Sequence, residues 1–299
     1  MYERFFNLTS KPFALNPDPS FLYPSRQHAA ALTMLEFGIE SQANFCLLTG
    51  EIGSGKTTVL RQLIRMLGER FSVGLISNTH QRFTSILPWA LSALGAAAAD
   101  SSDIAQYEAL TDFVVRDYAK GKRTLLILDE AQNLSVQVLE ELRLLSNLNS
   151  EKDIALQILL VGQPELRAKL ARPELTQFAQ RVSVDYHLEC LTLNEARAYI
   201  RHRLSVAGGD PSIFGPEAVA FIHARTGGIP RLMNQLCDLS LVYAFAGQER
   251  LIDERLVRLV LVERNRGRAI QLFAAADAAA MPLPAKPSAA ESISMSKRV

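Results

Sequence analysis

The sequence predicts an α/β fold, a doubly wound parallel sheet, followed by a smaller all-α unit. Short apolar runs alternate with longer amphipathic segments between residues 44 and 188, which is typical of a parallel sheet with helices on both faces. A glycine-rich loop joins the first apolar run to the first amphipathic segment. From Leu191 onward the composition becomes helical. We therefore expect two successive structural units, the first of which contains the sheet.

Five strands are expected in the first unit, because it contains five aliphatic runs of the kind that parallel sheets bury on both faces. The runs occupy residues 44–49, 73–78, 124–129, 155–161 and 182–188. Helices are expected between them, at residues 56–70, 84–95, 104–120, 135–148 and 164–171. The strand at 73–78 separates the glycine-rich loop from the strand at 124–129, so these two signature strands are not consecutive in the chain.

A phosphate-binding loop is predicted at the end of the first strand. Gly50, four further residues and then Gly55, Lys56 and Thr57 match the P-loop pattern GxxxxGK[ST]. In this pattern main-chain N–H groups at a helix N-terminus surround the phosphates, the lysine reaches the β- and γ-phosphates, and the hydroxyl ligates Mg²⁺. The residues expected to hold nucleotide here are Gly50, Glu51, Ile52, Gly53, Ser54, Gly55, Lys56, Thr57 and Thr58. The alternative is a glycine-rich turn with a solvated lysine.

Two acidic residues end the third expected strand. Asp129 and Glu130 follow the run TLLIL, and ligands bind at the carboxyl ends of the strands in parallel sheets. Asp129 is expected to hold Mg²⁺, directly or through water, as a Walker-B aspartate does. Glu130 is expected to orient and deprotonate the attacking water. The alternative is a pair of surface acids at a strand end.

Composition narrows the class of protein. Of the 299 residues, 48% are hydrophobic, which supports a sizeable core. The formal net charge is +1, so the chain has no overall basic field that would indicate a nucleic-acid partner. The three cysteines form no CxxC pair, so reduced thiols are expected rather than a zinc site. No apolar run reaches the ~18 residues of a transmembrane helix, and the opening MYERFF lacks the apolar region of a signal peptide. A cytoplasmic protein without a transmembrane segment is expected.

Four segments are expected along the chain. Residues 1–43 would form an extended N-terminal segment and a helix, 44–190 the α/β unit, 191–268 a helical lid, and 269–299 a disordered tail rich in Ala, Pro and Ser. The aromatic residues of the first segment are expected to pack across the α/β unit, and residues 23–26 are candidates to border a purine base.

The lid is expected to begin with a capping box, because Thr192 precedes Glu195 by three residues. The first lid helix is expected to end near Val206. Three further helices are expected at residues 216–225, 230–246 and 253–264. Four apolar residues at helical spacing are expected to form bundle core, namely Leu232, Leu236, Leu239 and Tyr243.

The order of these motifs resembles that of AAA+ ATPases. A P-loop, LLILDEAQNL, LLVGQPEL, a strand after Arg181 and a helical unit containing GGIPR follow one another. Two segments, MYERFFNLTSKPFALNPDPSFLYPSRQHAAAL and LLVGQPELRAKL, resemble more narrowly the ExeA/GspA-type ATPases of type II secretion. That group includes pilus-biogenesis (MSHA) and exosortase-associated members and is related to TniB-like transposition ATPases. The resemblance covers roughly residues 1–265 and implies a P-loop NTPase of the AAA+ type.

The resemblance implies three further site residues. Gln163 matches the sensor-1 position, which helps to place the attacking water, although a strand-end turn also explains it. Arg181 matches the arginine finger, which would reach the γ-phosphate of a neighbouring subunit; Arg172 is a weaker candidate, and a surface ion pair is the alternative. Arg231 in GGIPR matches sensor 2, which links the lid to the nucleotide, or it is a surface arginine at a helix start.

The function implied is Mg²⁺-dependent hydrolysis of ATP by a homo-oligomeric ring or filament that serves the assembly of a secretion or envelope machine. ATP is favoured over GTP because no NKxD motif follows the fifth strand. Two alternatives remain open. One is an ATP-dependent DNA-binding regulator of transposition, for which Lys120, Lys122 and Arg123 offer a local basic cluster. The other is a nucleotide-dependent scaffold with little turnover.

Overall fold

The computed structural model of the chain describes residues 1–15, 19–77, 79, 84–149 and 154–266. The predicted tail at 269–299 lies outside the described residues, as does the last residue of the strand predicted at 73–78.

A five-stranded parallel sheet forms the centre of the molecule. Its strands are β1 (Phe45–Gly50), β2 (Phe71–Ile76), β3 (Arg123–Leu128), β4 (Leu156–Gly162) and β5 (Val182–Leu188). The strand order is β2-β3-β4-β1-β5, and every pairing is parallel. Because β4 lies between β1 and β3, the loops that leave the carboxyl ends of these three strands meet at one edge of the sheet. This edge is where parallel sheets bind ligands.

Helices cover both faces of the sheet. They are α1 (Arg26–Glu40), α2 (Lys56–Leu67), α3 (Leu87–Leu94), α4 (Asp103–Ala119), α5 (Val136–Leu145), α6 (Pro164–Leu170) and α7 (Thr176–Ala179). One face packs on α1 and α2, while the other packs on α3 to α7. Successive strand residues point to opposite faces, so Leu47 and Leu48 belong to different apolar cores. The predicted doubly wound α/β fold is confirmed.

Four further helices follow the sheet: α8 (Leu193–Val206), α9 (Pro216–Thr226), α10 (Pro230–Ala246) and α11 (Glu254–Arg266). Thr192 and Glu195 form the predicted capping box, since each side chain bonds to the main chain of the other residue. We call α8 to α11 the lid.

The buried face of α10 differs from the predicted stripe. Leu236 is buried, but Leu232, Leu239 and Tyr243 are only partly buried and flank the core. The positions that point inward are offset by one residue, and they include Met233, Cys237, Ser240 and Ala244. Small and polar residues at close helix contacts carry little signal in a hydrophobic pattern, which explains the error.

The N-terminal aromatic residues pack on the lid, so the expectation that they cross the α/β unit is wrong. Five apolar residues share one buried cluster with the lid helices: Tyr2, Phe6, Leu8, Phe13 and Phe21. We call residues 1–15 and 19–23 the strap. Thr9 bonds through its main-chain N–H and its hydroxyl to the Ala207 carbonyl at the end of α8. Helix α1, by contrast, packs against the sheet. The strap and α1 therefore join the lid to the α/β unit.

Candidate nucleotide-binding site

The loop between β1 and α2 turns through two glycines in the left-handed region. Gly53 has a φ of +83°, and Gly55, which precedes the first residue of α2, has a φ of +109°. L-residues avoid these values. Steric crowding also requires glycine at both positions. A Cβ on Gly53 would lie 2.4 Å from the Cβ of Arg231, and one on Gly55 would lie 2.2 Å from Nε2 of His28. The loop is therefore packed between the lid and α1.

Lys56 is buried beneath this loop. Its Nζ donates to the carbonyl oxygens of Gly50 at 2.7 Å and Glu51 at 3.0 Å. Burial lowers the pKa of the ammonium, while the nearby carboxylates of Glu130 and Asp129 oppose that shift. Thr57, the next residue, is exposed at the cleft. A buried cation followed by an exposed hydroxyl at a helix N-terminus is the arrangement that a phosphate and its metal require.

Ser54 carries an unsatisfied hydroxyl in the same loop. Its Oγ is buried and has no hydrogen-bond partner among the described residues. A buried polar atom without a partner costs on the order of 1–3 kcal/mol. The loop thus retains bonding capacity at the point where the sequence pattern places phosphate oxygens.

Asp129 and Glu130 leave the end of β3 and line the same cleft as Lys56 and Thr57. Burial raises the pKa of Asp129, and a hydrogen bond from the Glu130 N–H to Oδ1 of Asp129, 2.9 Å long, opposes this. Glu130 has a φ of +56°, a left-handed conformation that is uncommon for a residue other than glycine. Thr79 secures it, because its buried hydroxyl lies 3.1 Å from the Asp129 carbonyl oxygen and 2.6 Å from that of Glu130.

Gln163 follows β4 and contacts Glu130 of the acidic pair. Its Nε2 donates to Oε2 of Glu130 at 3.2 Å. Gln132, which the sequence analysis did not single out, donates to the same oxygen at 2.6 Å. The structure therefore brings Glu130 and Gln163 together, and their roles as base and sensor stay predictions.

The cleft has a volume of about 370 Å³ and lies between the P-loop, the strap and the lid. Its lining includes Ile52, Gly53, Gly55, Lys56, Thr57, Thr58, Asp129, Glu130 and Arg231. Arg231 enters from the first turn of α10, and its main-chain N–H bonds to the Gly53 carbonyl at 3.3 Å. The structure thus places this predicted residue at the junction of the lid and the P-loop.

The strap and α1 also contribute to the lining of the cleft. Phe21, Leu22 and Tyr23 line the cleft, and the Tyr23 ring packs on Tyr199 with centroids 5.8 Å apart. Arg26 is exposed and is not part of this lining. Of the predicted purine-bordering residues, Tyr23 is the one whose position suits that role.

Arg181 lies outside the cleft lining. Its NH1 donates to the Arg143 carbonyl at 3.0 Å, to the Asn147 side chain at 2.8 Å and to the Ser146 hydroxyl. These acceptors surround the end of α5, so within this chain Arg181 ties that helix to the start of β5. Its role as a finger in a neighbouring subunit stays a prediction.

Several cleft residues escaped the sequence analysis. His28 presses on Gly55, and its Nδ1 lies 2.6 Å from the Ser25 hydroxyl. Burial lowers the pKa of His28. From the lid, the Arg203 guanidinium bonds to Tyr199 OH at 2.8 Å and reaches the Pro12 carbonyl of the strap. A lone histidine or arginine carries no motif, so only the tertiary structure shows that these residues share the cleft.

The residues present fit a nucleotide with its metal. Main-chain amides, a buried lysine and an unsatisfied hydroxyl suit phosphate, whereas Thr57 and Asp129 suit Mg²⁺, which prefers few protein oxygens plus substrate phosphates. No group of three or more His, Cys, Asp or Glu side chains that could cage a metal by itself occurs within the described parts of the chain. No helix in those parts is long and apolar enough to span a bilayer.

Comparison with known proteins agrees with the fold. A family profile described as an AAA domain matches residues 39–170. Among solved structures, the ORC2 protein of Aeropyrum pernix, in ADPNP and ADP complexes, superposes with a TM-score of 0.62 over 87% of this chain and 72% of that chain, at 18% identity. Cdc6p of Pyrobaculum aerophilum gives 0.62 over 84% and 70%, at 16% identity. The chain therefore has a P-loop fold of the AAA+ type.

Within that class, the resemblance seen in the sequence is confirmed. The chain is 39% identical to general secretion pathway protein A of Aeromonas hydrophila over 262 residues, which is 84% of this chain. The match covers 46% of that relative, so this chain spans about half its length.

Proposed function

We propose that the protein binds ATP with Mg²⁺ in the cleft and hydrolyses it to ADP and phosphate. One observation carries the proposal: the P-loop with its buried Lys56, the acidic pair at the end of β3 and the lid residue Arg231 all line a single cleft. Phosphoryl transfer depends on positioning and on charge stabilisation more than on covalent chemistry. Convergent cationic, acidic and main-chain donor groups provide both.

The roles of the residues follow from their chemistry. Main-chain N–H groups of residues 50–58 and the Lys56 ammonium would hold the phosphates. Thr57 and Asp129 would hold the metal, which supplies charge neutralisation at the phosphates when bound. Glu130 would accept a proton from water, and Gln163, which already contacts its carboxylate, would help to place that water.

Arg231 gives the hydrolysis a mechanical output. It extends from the lid, and its main chain bonds to Gly53 of the P-loop. A phosphate that contacts both the P-loop and Arg231 would favour one lid position, and its loss would release that preference. The strap packs on the lid, so it would move with α8 to α11. We propose that this movement of the lid is the conformational change that hydrolysis drives.

The biological setting proposed is an oligomeric motor or switch for assembly of a secretion or envelope machine, acting in the cytoplasm. Its support is the 39% identity to general secretion pathway protein A. Because the chain spans about half of that relative, the partner proteins are part of the proposal. The three cysteines are free thiols, in keeping with a reducing compartment.

The test compares binding with turnover. Lys56→Ala removes the buried cation and should weaken MgATP binding by roughly 10–100-fold, since hydrogen bonds to charged groups contribute ~1.5–3 kcal/mol. Glu130→Gln should retain MgATP binding and lose nearly all of its hydrolysis. Titration calorimetry and phosphate release measure the two quantities. Lys122→Ala, at the start of β3 away from the cleft, is the control. Equal turnover in Glu130→Gln and the wild type would refute Glu130 as the base.

The DNA-binding alternative finds less support. In the predicted basic cluster, Lys120 pairs with Asp117 at 3.4 Å, and Arg123 pairs with Glu40 at 3.3 Å and with the Ile39 carbonyl at 3.0 Å. Such partners leave less free charge for nucleic-acid phosphates. DNA binding that requires ATP and weakens steeply with salt would nevertheless restore this alternative.

A further inference from the structure

We propose that Gln132 is a positioning residue for hydrolysis, which holds the Glu130 carboxylate and connects it to the end of β4. The inference rests on the proposed function, because it assigns Gln132 to the reaction that Glu130 would catalyse. Gln132 does not line the cleft, so it would act through Glu130 and not through contact with nucleotide.

Three hydrogen bonds join Gln132, Glu130 and Gln163 into a ring. Gln132 Nε2 donates to Oε2 of Glu130 at 2.6 Å, and Gln163 Nε2 donates to the same oxygen at 3.2 Å. The Gln163 main-chain N–H donates to Oε1 of Gln132 at 3.1 Å. Oε2 of Glu130 thus receives two N–H groups, whereas no donor from the described residues reaches Oε1, which could therefore accept from water. The ring selects one orientation of the carboxylate.

The ring also determines which way the Gln132 amide faces. The Gln163 N–H can only donate, so it requires the amide oxygen of Gln132 on its side and leaves the amide nitrogen for Glu130. Close packing supports this placement. A Cβ on Gly162 would lie 2.8 Å from Oε1 of Gln132, so a larger residue at position 162 would displace the amide.

The main chain at Gln132 is anchored as well. Residues Ala131–Asn133 form a single 3₁₀ turn between β3 and α5. Lys169, on α6, donates through Nζ to the Gln132 carbonyl and, at 2.7 Å, to the Leu134 carbonyl. The segment that begins at Gln163 and continues as α6 therefore holds Gln132 at both its side chain and its main chain.

This geometry gives Gln132 a specific task. Glu130 has rotatable side-chain bonds, and an unrestrained carboxylate would sample orientations that do not face the attacking water. Misplacement of a reacting group by about 1 Å can reduce turnover by ~10²-fold. Gln132 restricts that sampling through its amide N–H. A side chain of the same length without an N–H could not replace it.

The experiment replaces the amide while keeping its size. Gln132→Met has a similar length and volume but no N–H, and we expect kcat for ATP to fall roughly 10–100-fold with KM nearly unchanged. Gln137→Met is the matched control, because it makes the same change at an exposed residue of α5 that does not line the cleft. We expect this control to keep its turnover. An equal loss in both variants would show that the Gln132 amide has no specific role.

A double-mutant cycle separates positioning from damage to the structure. If Gln132 acts through Glu130, Gln132→Met should not lower the residual turnover of Glu130→Gln any further. A full additional loss in the double variant would overturn the proposal. Absence of hydrolysis in the wild type would defeat the proposed function, whereas normal hydrolysis in Gln132→Met would defeat this inference alone.

Discussion

At the scale of single residues, the site contains ionisable side chains whose pKa values are shifted by burial. Lys56 and His28 both have a lowered pKa because burial disfavours their charged forms, and burial raises the pKa of Asp129. Shifts of this kind cluster at functional sites. Each pKa shift also makes the free energy of unfolding depend on pH, because folding changes the affinity of the group for protons.

His28 gives a pH-dependent prediction. Burial lowers its pKa below the ordinary value of 6.5, and a hydrogen bond to the Ser54 main chain and the charge of Glu195 partly oppose this. Between the folded pKa and 6.5 the unfolded chain binds more protons. The free energy of unfolding therefore decreases as the pH falls through that window, by at most ~1.4 kcal/mol per pH unit for one proton.

Urea unfolding at pH 7.5 and pH 5.5 measures the effect. The loss of stability between the two pH values should be smaller in His28→Gln than in the wild type. The control is His202→Gln, which removes a different imidazole, one that contacts the Leu22 carbonyl oxygen, and in this variant the loss should persist. An identical pH dependence in wild type and His28→Gln would contradict the assignment.

At the scale of elements, Arg181 connects α5 to β5. Its three acceptors belong to residues 143–147 at the end of the helix, where unsatisfied carbonyl groups favour a cation. We expect Arg181→Ala to lower the free energy of unfolding by about 1–3 kcal/mol. Arg172→Ala, at an exposed position nearby, should change it little, and urea unfolding compares the two.

The same variant tests the predicted finger. A loss of turnover in Arg181→Ala that is greater at high protein concentration, with unchanged stability, would indicate action on a neighbouring subunit. Loss of stability alone would leave Arg181 with a structural role and direct the search for a finger to Arg172.

The strap is the second element with a measurable contribution. Phe13 is 1% exposed and packs edge-to-face on Phe214, with ring centroids 5.8 Å apart. Phe13→Ala should reduce the free energy of unfolding by about 3–5 kcal/mol, the usual cost of removing a buried phenyl ring. Phe37, on α1, is 62% exposed, and Phe37→Ala should cost far less. Similar losses in a urea titration would show that the strap does not stabilise the lid.

At the scale of the whole molecule, the cleft joins parts that are distant in the sequence. Strap residues near position 20, the P-loop near 55, the acidic pair near 130 and the lid near 230 line one space. Nucleotide would therefore contact both the α/β unit and the lid with its strap, and it would favour their closed arrangement. In a ring or filament, that arrangement would decide how neighbouring chains fit together.

Assembly gives the prediction at this scale. Glu130→Gln, which should bind MgATP without hydrolysing it, is expected to form larger species with MgATP than without nucleotide. Lys56→Ala should show no such difference. Sedimentation velocity measures the size, and specific turnover of the wild type should rise with protein concentration. A monomer in every condition, with turnover independent of concentration, would exclude an oligomeric motor.

The sheet could be predicted because each strand is an aliphatic run buried on both faces. The predicted strands agree with the structure to within two residues at every end that can be compared. The short helix α7 was not predicted, since four residues give no helical period. The face of α10 was misjudged by one position because Cys237 and Ser240 are buried although they are small. Hydrophobic periodicity finds elements better than it finds their contacts.

The sequence by itself determined the P-loop, the acidic pair and the alternation of strand and helix, because each is local and depends on residue types at fixed spacing. Only the tertiary structure decided that the strap packs on the lid, that Arg181 is bound to the end of α5, and that Gln132 holds Glu130. These contacts join residues through packing and side-chain geometry, and no spacing in the chain specifies which surfaces meet.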